Sequence, residues 1–199
     1  MLSALLVSIS YIAAQMLSDI GSLQIVQVFG LSIDAGTFIY PITFTLRDLA
    51  HKVLGKKLVR VLIFAAAIVN LIMALYFWLV SLLQPDLAAG SSANWGAVLA
   101  PVWRITVASI IAEVISELTD TEIYHLWITK VTEKYQWLRV LVSNTFSVPL
   151  DSLLFSFLAF YGLMPISIVW QIFWGNVIVK GVVTLVSMPM IYLVKDRKV

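Results

Sequence analysis

The sequence predicts an all-α membrane protein with six transmembrane helices. Of its 199 residues, 61% are hydrophobic and only 12% are charged, and its mean hydropathy is +0.97. A soluble domain of this size would be left with almost no polar surface. Because a helical span needs about 20 apolar residues, the chain has room for six spans with short connections. We expect a single transmembrane domain over residues 1–199.

The first predicted span runs from Leu2 to about Leu17. It lacks a basic region at its start and its apolar stretch is long, so we interpret it as a transmembrane helix and not as a signal peptide. The following segment, GSLQIVQVFGLSIDAG, places three glycines around an alternating apolar run. This segment is too short to cross a membrane, and it predicts a small hairpin or a re-entrant piece at the surface.

The second span, from about Ala35 to Ala50, is short. Pro41 is expected near its middle, where the missing N–H would free a backbone carbonyl, so this span is predicted to be kinked or partly re-entrant. The third span, from about Val59 to Leu83, is apolar apart from Asn70 and is the plainest of the six.

The fourth span, Trp103 to Asp120, carries the most costly side chains. At helical spacing one face of it holds Thr106, Ser109, Glu113, Ser116, Glu117 and Asp120. Lipid cannot solvate such a face, so it must look into the protein or into water. We expect it to line the path of a polar solute. The segment that follows, TEIYHLWITKVTEKY, is amphipathic and is predicted to lie along the membrane surface as an interfacial segment.

The last two spans also contain charged groups. The fifth runs from Trp137 to about Gly162 and includes Asp151, and the sixth follows Pro165, includes Lys180 and ends near Val194.

Loop charge orients the chain. Of thirteen Lys and Arg residues, five lie between spans two and three, three between spans four and five, and three in the C-terminal tail. By the positive-inside rule, both termini of this multi-pass protein are expected on the cytoplasmic side of the cell (inner) membrane.

Several classes of function are disfavoured. The absence of cysteine excludes disulfides, thiolate metal sites and cysteine nucleophiles. The sequence has no HExxH, no GxSxG and no Walker-type loop. We therefore expect no enzyme, no cofactor and no metal, and the energy for any transport must come from an ion gradient or from a separate ATPase.

Four blocks of sequence resemble one known family. The first is Ile33 to Val59, with its AGT motif, Pro41 and Asp48, and the second is Trp103 to Asp120. The other two comprise Trp137, Leu138, Arg139, Ser143, Ser147 and Asp151, and then Lys180, Pro189 and Tyr192. Together they resemble the queuosine precursor transporter family, also called the vitamin uptake transporter family. The chain departs from the family pattern at His51, Glu117 and Val148, which puts the substrate in doubt more than the fold.

The resemblance implies import of a 7-deazaguanine base, cyano or aminomethyl substituted, or of a related base. It also implies a polar lining made by Ser109, Ser116, Asp120, Ser147, Asp151 and Lys180. The expected partners are a small purine-like base and membrane lipid, with no nucleic acid, and a homodimer is left open. The alternative function is a solute-binding membrane subunit that needs a separate ATPase module, or a transporter of another vitamin or purine.

The chemistry of such a base restricts its pocket. Its edge presents ring and amino N–H donors beside a carbonyl acceptor, so it needs acceptors, a donor and flat apolar walls. A carboxylate from Glu117 or Asp151 would accept two N–H bonds with charge assistance, and Asn144 can both donate and accept. Candidate stacking rings are those of Trp103, Phe155, Trp170 and Trp174.

Structural roles compete with these functional ones. Asp151 and Lys180 are equally well explained as a buried ion pair that fixes helix register, and Arg104 is expected to snorkel to the outer interface. Glu113, Glu117 and Asp151 outnumber the cations within the spans. An unmatched carboxylate there must be protonated or hold a cation, so Glu113 or Glu117 is a candidate for proton coupling.

Overall fold

The computed structural model describes residues 2–86, 88, 94–131 and 136–187, without some side chains inside the helices, those of Glu117 and Asp120 among them. In that part of the chain the elements are α1 (Leu2–Gly21), β1 (Ile25–Val28), β2 (Leu31–Asp34), a 3-10 helix (Ala35–Phe38), α2 (Tyr40–Leu54), α3 (Lys56–Ser81), α4 (Trp95–Leu99), α5 (Val102–Lys130), α6 (Gln136–Phe160) and α7 (Ile166–Ser187).

Burial in this fold is the reverse of burial in a soluble protein. Large apolar side chains such as Leu5, Phe64 and Ile72 are exposed on the helix surfaces, whereas polar ones such as Gln15 and Asn176 are buried. Within the described residues, five helical stretches are long and apolar enough to cross a membrane: Ser3–Gly21, Lys57–Ser81, Trp95–Ser116, Leu141–Phe160 and Ile166–Val186. The predicted all-α membrane protein is confirmed.

The second predicted span differs from the other five. Helix α2 has 15 residues, about 22 Å at 1.5 Å per residue, which is less than the hydrocarbon core of about 30 Å. Its role as a sixth, re-entrant span therefore stays a prediction. Pro41 is the second residue of α2 and lies in its first turn, where a missing N–H breaks no helical hydrogen bond. The expectation of a kink at Pro41 in the middle of the helix was wrong.

The segment between α1 and α2 contains the predicted hairpin. Strands β1 and β2 pair antiparallel, with Ile25 opposite Asp34 and Val28 opposite Leu31. The two loop residues, Phe29 and Gly30, both have positive φ, as in the type I′ turn that matches the twist of a hairpin. The Phe29 side chain is fully exposed, and nothing in the described structure explains a bulky residue at this position.

The hairpin is packed into the helical bundle. Leu23 and Ile25 contact the apolar core formed by α5, α6 and α7. Ile33 lies so close to Gly175 of α7 that a Cβ on this glycine would overlap its side chain. In addition, the Ser32 backbone N–H donates to Gln171 Oε1 at 3.2 Å. Because the hairpin packs against α7, the residues at the base of the hairpin are held inside the bundle.

Helix α5 is longer than its predicted span. It continues from Val102 to Lys130 without a break, about 43 Å, and contains no glycine or proline that would end it. The residues after Asp120, predicted to form a separate segment along the surface, instead extend α5 as far as Lys130. Residues 132–135 lie outside the described part.

Arg104 has a structural role that differs from the predicted one. Its side chain donates to the backbone carbonyls of Leu158, at 3.0 Å, and of Tyr161. The last carbonyls of a helix have no partner within it, and a cation is favoured there by the helix dipole. Arg104 therefore ties the start of α5 to the end of α6, and its snorkelling to the outer interface stays a prediction.

The close approach of α1 and the 3-10 helix yields a prediction about stability. A Cβ at Gly36 would overlap the Ser18 carbonyl oxygen and the Ser22 hydroxyl, whereas a Cβ at Gly181 in α7 would meet open space. We expect Gly36→Ala to destabilise the fold by about 1–3 kcal/mol, as overpacking does. The matched change Gly181→Ala should leave stability unchanged or raised. Thermal midpoints in detergent test this, and equal midpoints for both variants would contradict the packing described.

Candidate functional site

A cavity lies where the base of the hairpin meets the helices. Its lining side chains come from α1, from the 3-10 helix and its flanking residues, and from α5, α6 and α7. They are Ser18, Asp19, Ser22, Asp34, Thr37, Tyr40, Ser109, Ala112, Asp151, Phe155 and Lys180. The free space is about 260 Å³ when the open part is included, but the centre of a water-sized sphere can occupy only about 10 Å³ of it. That is room for about one water molecule, so the cavity is too small for a larger solute in this conformation.

A buried ion pair joins α6 to α7 at this cavity. Lys180 Nζ lies 2.6 Å from Asp151 Oδ2, and both side chains are almost completely buried. The other oxygen of Asp151 accepts weaker hydrogen bonds from the hydroxyls of Tyr40, at 3.3 Å, and Ser116, at 3.4 Å. Four elements therefore converge on one carboxylate, and each of its oxygens has at least one donor.

Aromatic rings surround the cation of this pair. Lys180 Nζ is 4.6 Å from the ring centroid of Tyr40 and 5.8 Å from that of Phe155. A cation over the face of a ring is attracted by its quadrupole, and more strongly when water is excluded. The site thus combines an acceptor, a donor and two flat apolar surfaces.

Asp34 fixes the turn that leads into α2. Its carboxylate accepts from the Thr37 backbone N–H, the Thr37 hydroxyl and the Ser22 hydroxyl, at 3.1, 2.9 and 2.8 Å. Such capping satisfies the orphan donor at the start of the 3-10 helix. Thr37 Oγ1 also contacts the Asn176 side-chain amide at 2.5 Å, so this turn is attached to α7 as well.

Asp19 is the third carboxylate of the cavity. Only 2% of it is exposed, and its Oδ2 has no hydrogen-bond partner among the described residues. The hydroxyls of Ser109 and Thr106 on α5 are its nearest polar neighbours, but Thr106 Oγ1 also lacks a partner with proper hydrogen-bond geometry. The Asp19 carboxylate therefore has a less complete set of hydrogen-bond donors than that of Asp34 or Asp151.

Glu113 belongs to a separate network between α1, α3 and α5. Its Oε1 accepts from the Tyr11 hydroxyl, at 2.6 Å, and from the Gln15 side-chain amide. Asn70 Nδ2 donates in turn to Gln15 Oε1 at 3.3 Å. Glu113 is buried but does not line the cavity.

Comparison with known proteins identifies the family. Residues 34–194 match the family model described as "Putative vitamin uptake transporter". The chain belongs to the vitamin uptake transporter family. A curated relative from Bacillus subtilis (strain 168), "Probable queuosine precursor transporter", is 23% identical over 184 residues, which cover 92% of this chain and 80% of the relative. No solved structure matches the chain significantly.

The structure of this family member brings part of the predicted site together. Ser109, Phe155, Asp151 and Lys180 line the cavity, and Ser116 bonds to Asp151 from beside it. The four described members of the predicted polar face of α5, from Thr106 to Ser116, are all buried.

Other predicted site residues lie elsewhere. Ser147 is buried on α6 and Asn144 is half-buried one turn away, 3.5 Å from it, but neither lines the cavity. Trp103, Trp170 and Trp174 are 50%, 43% and 55% exposed, so their rings do not reach the cavity. The side chains of Glu117 and Asp120, together with Pro189 and Tyr192, fall outside the described residues of the transporter.

Sequence reasoning missed the contribution of α1. Tyr11, Gln15, Asp19 and Ser22 recur at helical spacing and are all buried, so a polar face like that of α5 was present in the sequence. The first span was predicted to end near Leu17, which leaves Asp19 outside it. Thr37 and Tyr40, which lie within the predicted second span, were also missed.

The ion pair of the transporter leads to a prediction about stability. Removing one partner of a buried pair leaves a buried charge uncompensated, so Lys180→Met should lower the free energy of unfolding by about 3–5 kcal/mol. The double change Asp151→Leu with Lys180→Met removes both charges and should recover most of that loss. Thermal midpoints in detergent measure this, with exposed Lys57→Met as control. A double variant no more stable than Lys180→Met would show that the two charges are not coupled.

Proposed function

We propose that this chain imports a queuosine precursor, 7-cyano- or 7-aminomethyl-7-deazaguanine, or a related base, by ion-coupled secondary transport. Membership of the vitamin uptake transporter family and the name of the Bacillus subtilis relative support the class of cargo. The observation that carries the proposal is the buried pair of Asp151 and Lys180 at a cavity with two aromatic walls.

The pair matches the hydrogen-bonding edge of a guanine-like base. The Asp151 carboxylate accepts from the ring N–H and the exocyclic amino group, and the Lys180 ammonium donates to the adjacent carbonyl. Without a base, the two side chains satisfy each other at 2.6 Å. A base inserted between them replaces each lost bond, so neither buried charge is left without a partner.

The aromatic side chains supply the flat surfaces of the proposed pocket. Tyr40 and Phe155 both line the cavity and flank Lys180. Because the cavity has room for about one water molecule, a bicyclic base requires it to widen. Widening requires the helices that line the cavity to move apart, which is the type of motion that alternating access uses.

Uptake of the labelled base tests the proposal. In cells that lack their own transporter and their own synthesis of the base, expression of the chain should restore uptake. Asp151→Asn removes a charge-assisted acceptor and should weaken apparent affinity about 10- to 100-fold, since bonds to charged groups contribute about 1.5–3 kcal/mol. Initial rates of uptake over a range of base concentrations measure this.

Two controls accompany that measurement. Asp86→Asn removes a carboxylate from the exposed loop after α3 and should leave uptake unchanged. Excess 7-deazaguanine should compete for uptake. Adenine should not, because it lacks the carbonyl of guanine and the N–H next to it in the six-membered ring. Equal uptake by Asp151→Asn and the wild type would refute the role of the pair. Transport by the purified chain in liposomes is expected, and uptake only after an ATPase module is added would favour the binding-subunit alternative.

We also propose that both termini are cytoplasmic, as the distribution of basic residues supports. The chain has no cysteine, so single introduced cysteines report topology directly. Exposed Ala88 and Lys57 lie near opposite ends of α3. A membrane-impermeant maleimide added to intact cells should label Ala88→Cys and not Lys57→Cys. The reverse pattern would invert the proposed orientation.

A further inference from the structure

Three carboxylates and one cation line the cavity among the described residues, namely Asp19, Asp34 and Asp151 with Lys180. Lys180 is committed to Asp151, and Asp34 is held by one backbone and two hydroxyl donors. Asp19 has no such set of donors, and its Oδ2 is unpartnered although the residue is 98% buried. A buried carboxylate without compensation is strongly unfavourable.

The surroundings of Asp19 offer oxygen atoms to a cation. Ser109 and Thr106 present hydroxyls from α5 to Asp19, and Ser22 and Asp34 line the same cavity as Asp19. The Thr106 hydroxyl is fully buried and, like Asp19 Oδ2, has no partner with proper hydrogen-bond geometry among the described residues. Asp19 and Ser109 line the cavity, which has room for one small occupant, so these two unsatisfied oxygens on neighbouring helices favour a cation at Asp19.

From this arrangement we propose that Asp19, with the hydroxyls of Thr106 and Ser109, is the site of the coupling cation, a proton or a sodium ion. The inference rests on the proposed function as a transporter. The shared chemistry is one positive charge that neutralises the Asp19 carboxylate. Hydroxyl and carboxylate oxygens suit sodium as hard ligands, and a single proton on Asp19 removes the same charge.

The other carboxylates are less suited to this role. Glu113, the candidate from the sequence, receives the Tyr11 hydroxyl and the Gln15 amide and lies outside the cavity. Asp151 faces Lys180, so a cation there would compete with an ammonium.

Coupling follows from the position of the site. Asp19 on α1 and Asp151 on α6 line the same cavity, so a cation at Asp19 lowers the negative charge that an entering base meets. The titratable groups that face this cavity from the packed elements are Asp34, Tyr40, Asp151 and Lys180, with Glu113 one turn from Ser109 on α5. Asp19→Asn removes the charge that the cation neutralises and leaves these groups in place.

The first experiment measures cation binding without transport. The thermal midpoint of the detergent-solubilised chain is recorded in sodium chloride against choline chloride, and between pH 6 and pH 8. A cation that binds only the folded state raises the midpoint, so the wild type should be stabilised by sodium or by lower pH. Asp19→Asn should lose that response, and Asp86→Asn should keep it. An equal response in Asp19→Asn and the wild type would overturn the inference.

The second experiment measures coupling in proteoliposomes with labelled 7-aminomethyl-7-deazaguanine. An inward sodium gradient and an inward proton gradient are applied separately. One of them should raise wild-type uptake at least about fivefold, the lower end of typical coupling between sites, and Asp19→Asn should lose that increase. Wild-type uptake that responds to neither gradient would overturn the inference and the ion coupling of the proposed function, and would leave the proposed cargo standing. If the wild type does not transport the base, the proposed function fails, and the midpoint experiment still decides whether Asp19 binds a cation.

A second variant protects the test against misfolding. Thr106→Val keeps the shape of the side chain and removes an unsatisfied hydroxyl, so the cation-free midpoint should stay the same or rise. If sodium is the cation, the midpoint should respond only at several-fold more sodium, because one oxygen of the site is lost. If the proton is the cation, the midpoint should respond at a lower proton concentration, because the Thr106 hydroxyl no longer favours the charged carboxylate. A response at the wild-type concentration of the cation would overturn the assignment of Thr106 and Asp19 to one site.

Discussion

Polar groups in this protein have no solvent on the outside of the bundle, and this constraint organises the structure. Lipid cannot hydrogen-bond to a carboxylate or an amide, so each must find its partner among neighbouring helices. The ion pair of Asp151 and Lys180 is the clearest example, since it joins α6 to α7. The Asp151 carboxylate also accepts hydrogen bonds from α2 and α5. The apolar surface that faces lipid contributes less to which helices pack together, because lipid tails are as apolar as the side chains.

The same constraint explains how non-helical chain is tolerated inside the bundle. The hairpin pairs its own backbone groups, and its edge is bonded to Gln171 of α7. Asp34 then caps the 3-10 helix, and Thr37 connects that turn to Asn176. Within the hydrocarbon region, backbone that is not helical is stable only where protein or a water-filled cavity satisfies its N–H and C=O groups. The gap left between these irregular elements and the helices is the cavity, so the break in regular structure is what creates a place for a solute.

The four described carboxylates that are buried have four different environments. Asp151 faces an ammonium, Asp34 faces backbone and hydroxyl donors, and Glu113 faces a phenol and an amide. Of these four, only Asp19 has a buried carboxylate oxygen without a hydrogen-bond partner among the described residues. Groups whose hydrogen bonds are all satisfied hold the bundle in one arrangement. A group with an unsatisfied oxygen instead changes its free energy when a ligand binds. This difference separates groups that stabilise the fold from a group that can respond to an ion.

The sequence by itself determined the membrane class, the hairpin between its glycines, the polar face of α5, and the presence of Asp151 and Lys180 within spans. Each of these depends on composition or on periodicity along one element, which local sequence encodes directly. The tertiary structure alone decided that Lys180 bonds to Asp151, that Trp103, Trp170 and Trp174 face outward, and that Asp19 is enclosed. An aspartate near the end of a helix is equally compatible with water and with burial. Only the packing of the 3-10 helix and α5 against α1 removes the water from Asp19, and α5 is far from α1 in the chain.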